Sequence, residues 1–312
     1  DTAPGTQAAP LCTISQALGR VSAVTPRAIL VRGIAGGSYP ELLAVPANSR
    51  VAILRVGATP VVLAGGGDQS LRIDAGARVY LDGLEVAGNT QGHGVRCTDA
   101  ELWVDRSLVR AQVESGLAAE DCTLRLRSTV LTKNAREGLY LVGGEARVEN
   151  SFISDNGDMN IADSPRGGIA LAGGARIELI YSTLYGNSAF IGSGWSIDCD
   201  PDPAPETVEM RNSIAFNATG YSTFGCGGVE DVSRSAFSAL TDDPNDDNIG
   251  VTTEEQSMLM IAEPDELGVY RPKPGSKLDT VALYGMGDPD LDFEGDPRPT
   301  EDPSFPGADQ PP

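Results

Sequence analysis

Histidine occurs once in the 312 residues, as His93, and aromatic residues make up only 5% of the chain. No stretch approaches the roughly 18 to 20 uninterrupted apolar residues of a spanning helix. No basic-then-apolar leader opens the chain, so the numbering reads as a mature or trimmed product. Basic residues are scarce: 23 Lys and Arg stand against 44 Asp and Glu, a net charge of −21. Such a surface repels phosphate backbones and anionic lipids, which excludes nucleic acid and membrane surfaces as partners. A polyanionic substrate would need a cation or a local basic patch. The five cysteines form no Cys-x-x-Cys and have no histidine partner in a ligand pattern, which argues against a metal or redox site and for export with one or two disulfides. Cys199 with Cys226 is the preferred pair. Cys97 and Cys122 lie about one coil apart, but their offset from the nearest repeat positions threatens the ~7 Å limit for a bridge. Cys12 is left over.

Glycine, at 37 residues, is abundant, and it marks a repeat. Gly94, Gly116, Gly138 and Gly168 each open a unit, followed by the inward-reading apolar positions Val104, Leu126, Val148 and Leu179. Each unit closes on an amide: Gln112, Asn134, Asn156 and Asn187. The first three units repeat at a strict spacing of 22 residues. A fixed period of this size predicts a solenoid, with three short strands and their turns in each rung.

Residues 1–27 read as an extended lead-in and a capping helix of about three turns, because Leu11, Ile14, Leu18, Val21 and Val24 recur at helical spacing and Pro26 stops it. Residues 28–228 read as solenoid coils, irregular at first. Two steps lengthen, Gly138 to Gly168 to 30 residues and Leu179 to Met210 to 31. The surplus predicts loops within 157–166 and 190–206, where sites are usually built on a rigid stack. Residues 229–312, acidic and rich in proline, read as an irregular segment packed on or ending the stack, disordered in part at its end.

Stacked parallel strands sit about 4.8 Å apart, so residues one rung apart become neighbours. Asp105, Arg127 and Glu149 then form an outward column of alternating charge. Trp103 lies above Arg125 and Arg125 above Arg147, which predicts a ring-to-guanidinium contact followed by a repulsive pair. These columns read either as ladders that hold register or, for Trp103, Arg125 and Arg147, as a sugar-binding strip. The amide column reads as structural.

Residues 10–18, 29–33 and 37–41 resemble the cap helix and first coil of right-handed parallel β-helix proteins of the pectate-lyase-like type, here in a secreted bacterial form. Residues 270–279, 290–299 and 307–310 are similar to the closing motif of exported bacterial β-helix proteins, which often precedes a surface anchor. The resemblance implies an all-β solenoid with an N-terminal capping helix and an irregular C-terminal extension. The family spans lyases, hydrolases, epimerases, tailspikes and adhesins, so fold alone does not choose an activity. The Gly-His-Gly around His93 lacks the carboxylates that precede this motif in polygalacturonases, and His93 reads as an ordinary turn residue.

A lyase needs a base and a group that neutralises the uronate carboxylate, often calcium. Lys133 and Arg136 on one rung, with Asp155, Asp158, Asp163 and Arg166 on the next, are the candidates; the competing reading is a charged rim. Asp243, Asn245, Asp247, Ile249 (through its carbonyl) and Glu254 have the oxygen spacing of an EF-hand calcium loop, although Asn248 replaces its glycine. An acidic solvated linker is the competing reading. Asp288, Asp290 and Asp292 form a second acidic cluster. The reading favoured is a secreted or surface-displayed β-helix protein with a binding or structural role and a polysaccharide or cell-surface glycan as partner. The alternative is a calcium-assisted polysaccharide lyase using the groove near residues 133–166.

Overall fold

The structure, a computed structural model, describes residues 5–157, 167–188, 195–200, 205–217, 223–226, 229–238, 247–262, 268–300 and 303–310. Asp158, Asp163, Arg166, Asp243 and Asn245 fall outside them. The chain winds through about eight turns of a parallel β-solenoid. Three sheets run along the stack. The first has nine strands, from Arg27–Arg32 to Val229–Ser233; the second has nine, from Val61–Leu63 to Ile249–Val251; the third has eight, from Leu43–Val45 to Phe224–Gly225. Register follows the repeat: Val104 pairs with Leu126, Leu126 with Val148 and Val148 with Leu179, all buried. Alternation within each strand sends one set of side chains into this core and the other to the outer face.

The corners explain the amides. Between second and third sheets the chain turns through one left-handed residue, Ala111, Lys133, Asp155 or Gly186, followed by Gln112, Asn134, Asn156 or Asn187. Each amide oxygen accepts the backbone N–H of the amide residue one rung earlier, at 3.1 to 3.2 Å from Asn89 to Asn187. A second ladder, not anticipated from the repeat, lines the corner between first and second sheets. There Ser151, Ser213, Ser235 and Asn248 accept the N–H groups of Thr129, Ser182, Ser213 and Ser235.

Two expectations are corrected, and both candidate disulfides form. The N-terminal helix spans only Ile14–Leu18; it ends at Gly19, and Val21 and Val24 follow it without helical structure. Thr13 caps it, and Ile14 and Leu18 enter the core. Solenoid pairing passes residue 228, because Val229–Ser233, Ala236–Ser238 and Ile249–Val251 still add strands where glycine has thinned out. Cys97 and Cys122 are bridged, with Cα atoms 6.4 Å apart, as are Cys199 and Cys226 at 4.7 Å. Cys122 precedes the strand Thr123–Arg127, whose Thr123 pairs with Glu101, so the first bridge crosses from one rung to the next at a corner. Cys12 belongs to neither bridge.

The Cys97–Cys122 bridge closes a loop of 25 residues. By the loop-entropy relation, the double variant Cys97→Ala/Cys122→Ala loses about 3 kcal/mol of stability. Denaturant unfolding of oxidised wild type and variant measures this; coincident curves would show the bridge to be without effect.

Beyond Ile249–Val251 come a short helix, Thr253–Leu259, and an antiparallel pair, Met260–Ala262 with Tyr270–Pro272. Residues 283–300 and 303–310 then run back along the outside of the stack as a strap. Asn150 donates to the Leu291 carbonyl at 2.5 Å, Asn212 to the Leu283 carbonyl at 3.1 Å, and Phe293 packs edge-on against Phe152.

Candidate functional site

The outer face of the first sheet carries a central column that parallel register builds in order: Ala28, Ala52, Tyr80, Trp103, Arg125, Arg147, Glu178 and Glu209. Where alanine gives way to tyrosine and tryptophan, the face sinks into a trough of about 510 Å³. Ala28 and Ala52 form its floor, Tyr80 and Trp103 its raised end, and Arg27, Arg50 and Arg78 its basic side. Trp103 keeps 43% of its surface in solvent. The Tyr80 hydroxyl donates to Asp105 at 2.8 Å, fixing the ring. Burial and then Asp105 push its pKa up to about 12, so Tyr80 stays neutral.

Electrostatics separate the two ends of this face. Arg78 pairs with Glu101 at 3.1 Å, whereas Arg27 and Arg50 have no carboxylate partner among the described residues. Towards the other end, the expected contact of Arg125 over Trp103 is present, at 5.6 Å from the ring centroid. The expected repulsion between Arg125 and Arg147 is offset, because Arg147 binds Glu149 and Glu178, each at 2.6 Å. Arg147 also donates to the Gly287 carbonyl, so the strap covers that rung. Asp105 and Arg127 pair at 2.5 Å. The strip read as Trp103, Arg125 and Arg147 therefore opens in the opposite direction, onto Tyr80, Arg50 and Arg27.

At the corner between second and third sheets, Lys133 and Asp155 hold equivalent left-handed positions one rung apart. Asp155 is half-buried; burial raises its pKa, opposed by the hydroxyl of Tyr270, which donates to it at 2.7 Å, and by the Lys133 charge. Tyr185 stacks on Tyr270 at 4.4 Å. Lys133 is exposed, and Arg136 pairs with Glu114 at 2.9 Å. The described part of this cluster is thus two neighbours, Lys133 and Asp155, with Arg136 directed elsewhere and Asp155 engaged by the C-terminal segment.

The acidic groups are spent internally. Asp288 accepts from Arg211, Asn212 and Gly285, Asp290 from Tyr284, and Asp292 from the backbone of Gly295 and Asp296. In the loop read as EF-hand-like, Asp247 is exposed, Asn248 is a rung of the corner ladder, Ile249 opens a strand and Glu254 lies exposed in the helix Thr253–Leu259. Among the described residues no group of three or more metal-ligating side chains converges. His93 opens a third-sheet strand instead of sitting in a turn; its Nδ1 is buried without a partner, and burial lowers its pKa.

No protein-family model and no curated protein matches the chain. Among solved structures, the crystal structure of pectate lyase Pel9A superimposes with a TM-score of 0.55 over 98% of this chain and 92% of that chain, at 14% identity. No long apolar helix is present among the described residues. With three parallel sheets stacked in register and this structural likeness, the chain has the pectate-lyase-like parallel β-helix fold.

Proposed function

We propose that the protein is an extracellular β-helix module that binds polysaccharide in the trough on the first sheet. The observation that carries this reading is the exposed Trp103 beside the anchored Tyr80 at the end of an alanine-floored groove, with two guanidinium groups on its rim, Arg27 and Arg50, that have no carboxylate partner among the described residues. An aromatic face offers a flat apolar platform for the C–H face of a sugar ring. Arginine forks match carboxylates, which favours acidic sugars and supplies the local basic patch that an acidic protein needs for them. Extracellular placement is supported by the two disulfides, which persist in oxidising compartments.

Titration with oligogalacturonides, followed by tryptophan fluorescence and calorimetry, tests the proposal. Trp103 is one of two tryptophans, and the other, Trp195, packs against Gly225, so the exposed reporter sits in the site. Trp103→Ala should weaken binding about 30-fold, the loss of a central aromatic anchor. Unchanged affinity would remove the trough from consideration. Release of unsaturated uronates from polygalacturonate in calcium, abolished by Lys133→Ala, would replace the binding reading with the lyase reading at the Lys133 and Asp155 corner.

A further inference from the structure

The N-terminal end of the stack differs from the rest in charge, in covering and in backbone pairing. Residues 1–80 hold seven Arg and four Asp or Glu, while the remaining residues hold 16 basic and 40 acidic ones. Most arginines from Arg72 to Arg211 are paired with a carboxylate, whereas Arg27, Arg32, Arg50 and Arg55 have no such partner among the described residues. The first strand, Arg27–Arg32, pairs with Arg50–Val56 on one edge alone. In a parallel ladder, alternate residues aim both N–H and C=O at a given neighbour, so the open edge presents a row of unmatched donors and acceptors. Among the described residues of the segment before the strand, no backbone bond reaches residues 27–31. Instead a groove of about 1070 Å³ separates strand from segment. Leu11, Ile14 and Val21 line it on one side, and Leu30, 64% exposed, on the other.

We propose that this groove receives an extended, acidic peptide segment of a partner protein, which adds a strand to the open edge at Arg27–Arg32. Three observations select this occupant. The open ladder offers backbone bonds at strand spacing, which an extended polypeptide satisfies. The apolar walls accept alternate side chains of such a strand, because its residues point to opposite faces. The unpaired Arg27 and Arg32 at the two ends of the strand attract acidic side chains and oppose basic ones. A second copy of this chain is disfavoured by the same charges, since a twofold pairing of these edges sets arginines against arginines. The short helix leaves the edge accessible: Ile14 and Leu18 plug the core, and none of the described residues before the strand lies in strand register beyond it.

The test uses the full chain and two fluorescein-labelled peptides, one alternating valine with glutamate and one alternating valine with lysine, followed by anisotropy. The valine–glutamate peptide should bind and the valine–lysine peptide should not. Arg32→Glu, at an exposed position, should weaken the first about tenfold or more and admit the second. Leu30→Asp should weaken the first through the groove wall. Circular dichroism of both variants checks that the fold is kept. Trp103→Ala should leave peptide binding intact while it lowers oligogalacturonide binding, so failure of one site is distinguishable from failure of the other. Failure to bind either peptide, binding indifferent to Arg32→Glu, or a dimer in light scattering without peptide would overturn the proposal.

Discussion

Asn156→Ala should destabilise the protein by about 3 to 5 kcal/mol, the largest loss expected from a single change away from the strap. Asn156 is fully buried, and its amide closes four hydrogen bonds. The oxygen accepts from the backbone N–H and the side-chain amide of Asn134, at 3.2 and 2.9 Å. The side-chain nitrogen donates to the Leu131 carbonyl at 2.9 Å and to the Asn187 oxygen at 3.0 Å. Alanine removes all four bonds: the Asn134 side-chain amide keeps the Val109 carbonyl and the Asn187 oxygen keeps the Asn156 backbone N–H, but the Asn134 backbone N–H and the Leu131 carbonyl lose this partner. Each buried orphan costs about 1 to 3 kcal/mol, partly relieved by relaxation. Because each rung contacts only its neighbours, the damage should be local. Hydrogen exchange should show the amides of rungs 134 and 156 opening first, and denaturant unfolding should show the drop in stability. A loss below about 1 kcal/mol would mean that the corner admits water and that the ladder contributes little.

The same ladder shows what a sequence can and cannot reveal in such a fold. Position 156 sits 22 residues after 134 and 134 sits 22 after 112, so one subtraction places the three amides in a column. That arithmetic also reaches Trp103, Arg125 and Arg147. It also sets Tyr80 beside Trp103, since the strand containing Tyr80 repeats 23 residues later in the strand of Trp103, although the alignment alone does not mark Tyr80 as part of a site. The floor of the trough was beyond it: Ala28 and Ala52 pair with the column across steps of 24 and 28 residues, and an alanine carries no signal by itself. The offsets of Cys97 and Cys122 from the repeat positions argue against their bridge only if every rung keeps the same path. The corner shortens the path between rungs, and a period along a strand says nothing of it. The strap follows no period at all. Tyr270 meets Asp155 across 115 positions, and Arg298 meets Asn150 across 148, contacts that only the folded surface selects. Lys133 and Asp155, charged residues one rung apart, read from the sequence either as chemistry or as a charged rim. Their left-handed corner conformation gives an equally physical reason for short or polar side chains there.

The strap itself should come loose when Arg298 is replaced. Its guanidinium lies buried 3.8 Å from the centroid of the Tyr181 ring and donates to Asn150 at 2.9 Å and to the carbonyls of Ala308 and Gly307 at 2.8 and 3.2 Å. Burial lowers its pKa to about 10, which still leaves it charged at neutral pH. Arg298→Met keeps the volume and removes every donor, so Asn150 and the carbonyls of Gly307 and Ala308 lose its hydrogen bonds and the cation no longer faces the ring. Of these acceptors, Ala308 alone keeps a backbone donor among the described residues, the Phe293 N–H. The expected cost is about 3 to 5 kcal/mol, felt in the strap before the solenoid. Limited proteolysis should cut the variant within 283–310 while the sheets remain protected. Asp309 adds a pH dependence to the same contact. Burial first, and then its hydrogen bond with Asp292, push its pKa up to about 8, against the pull of Arg271, whose Nε lies 2.7 Å away; Glu294 also faces it. A carboxyl raised above its unfolded value of about 3.9 favours folding in its protonated form. The stabilisation is therefore complete below about pH 4 and is lost as pH rises through about 8, so the strap should be cut faster at about pH 9, above this window, than at about pH 5, near its lower end. Asp309→Asn, which mimics the protonated carboxyl, should flatten that dependence; a variant as pH-sensitive as the wild type would show that the strap is gated by another group.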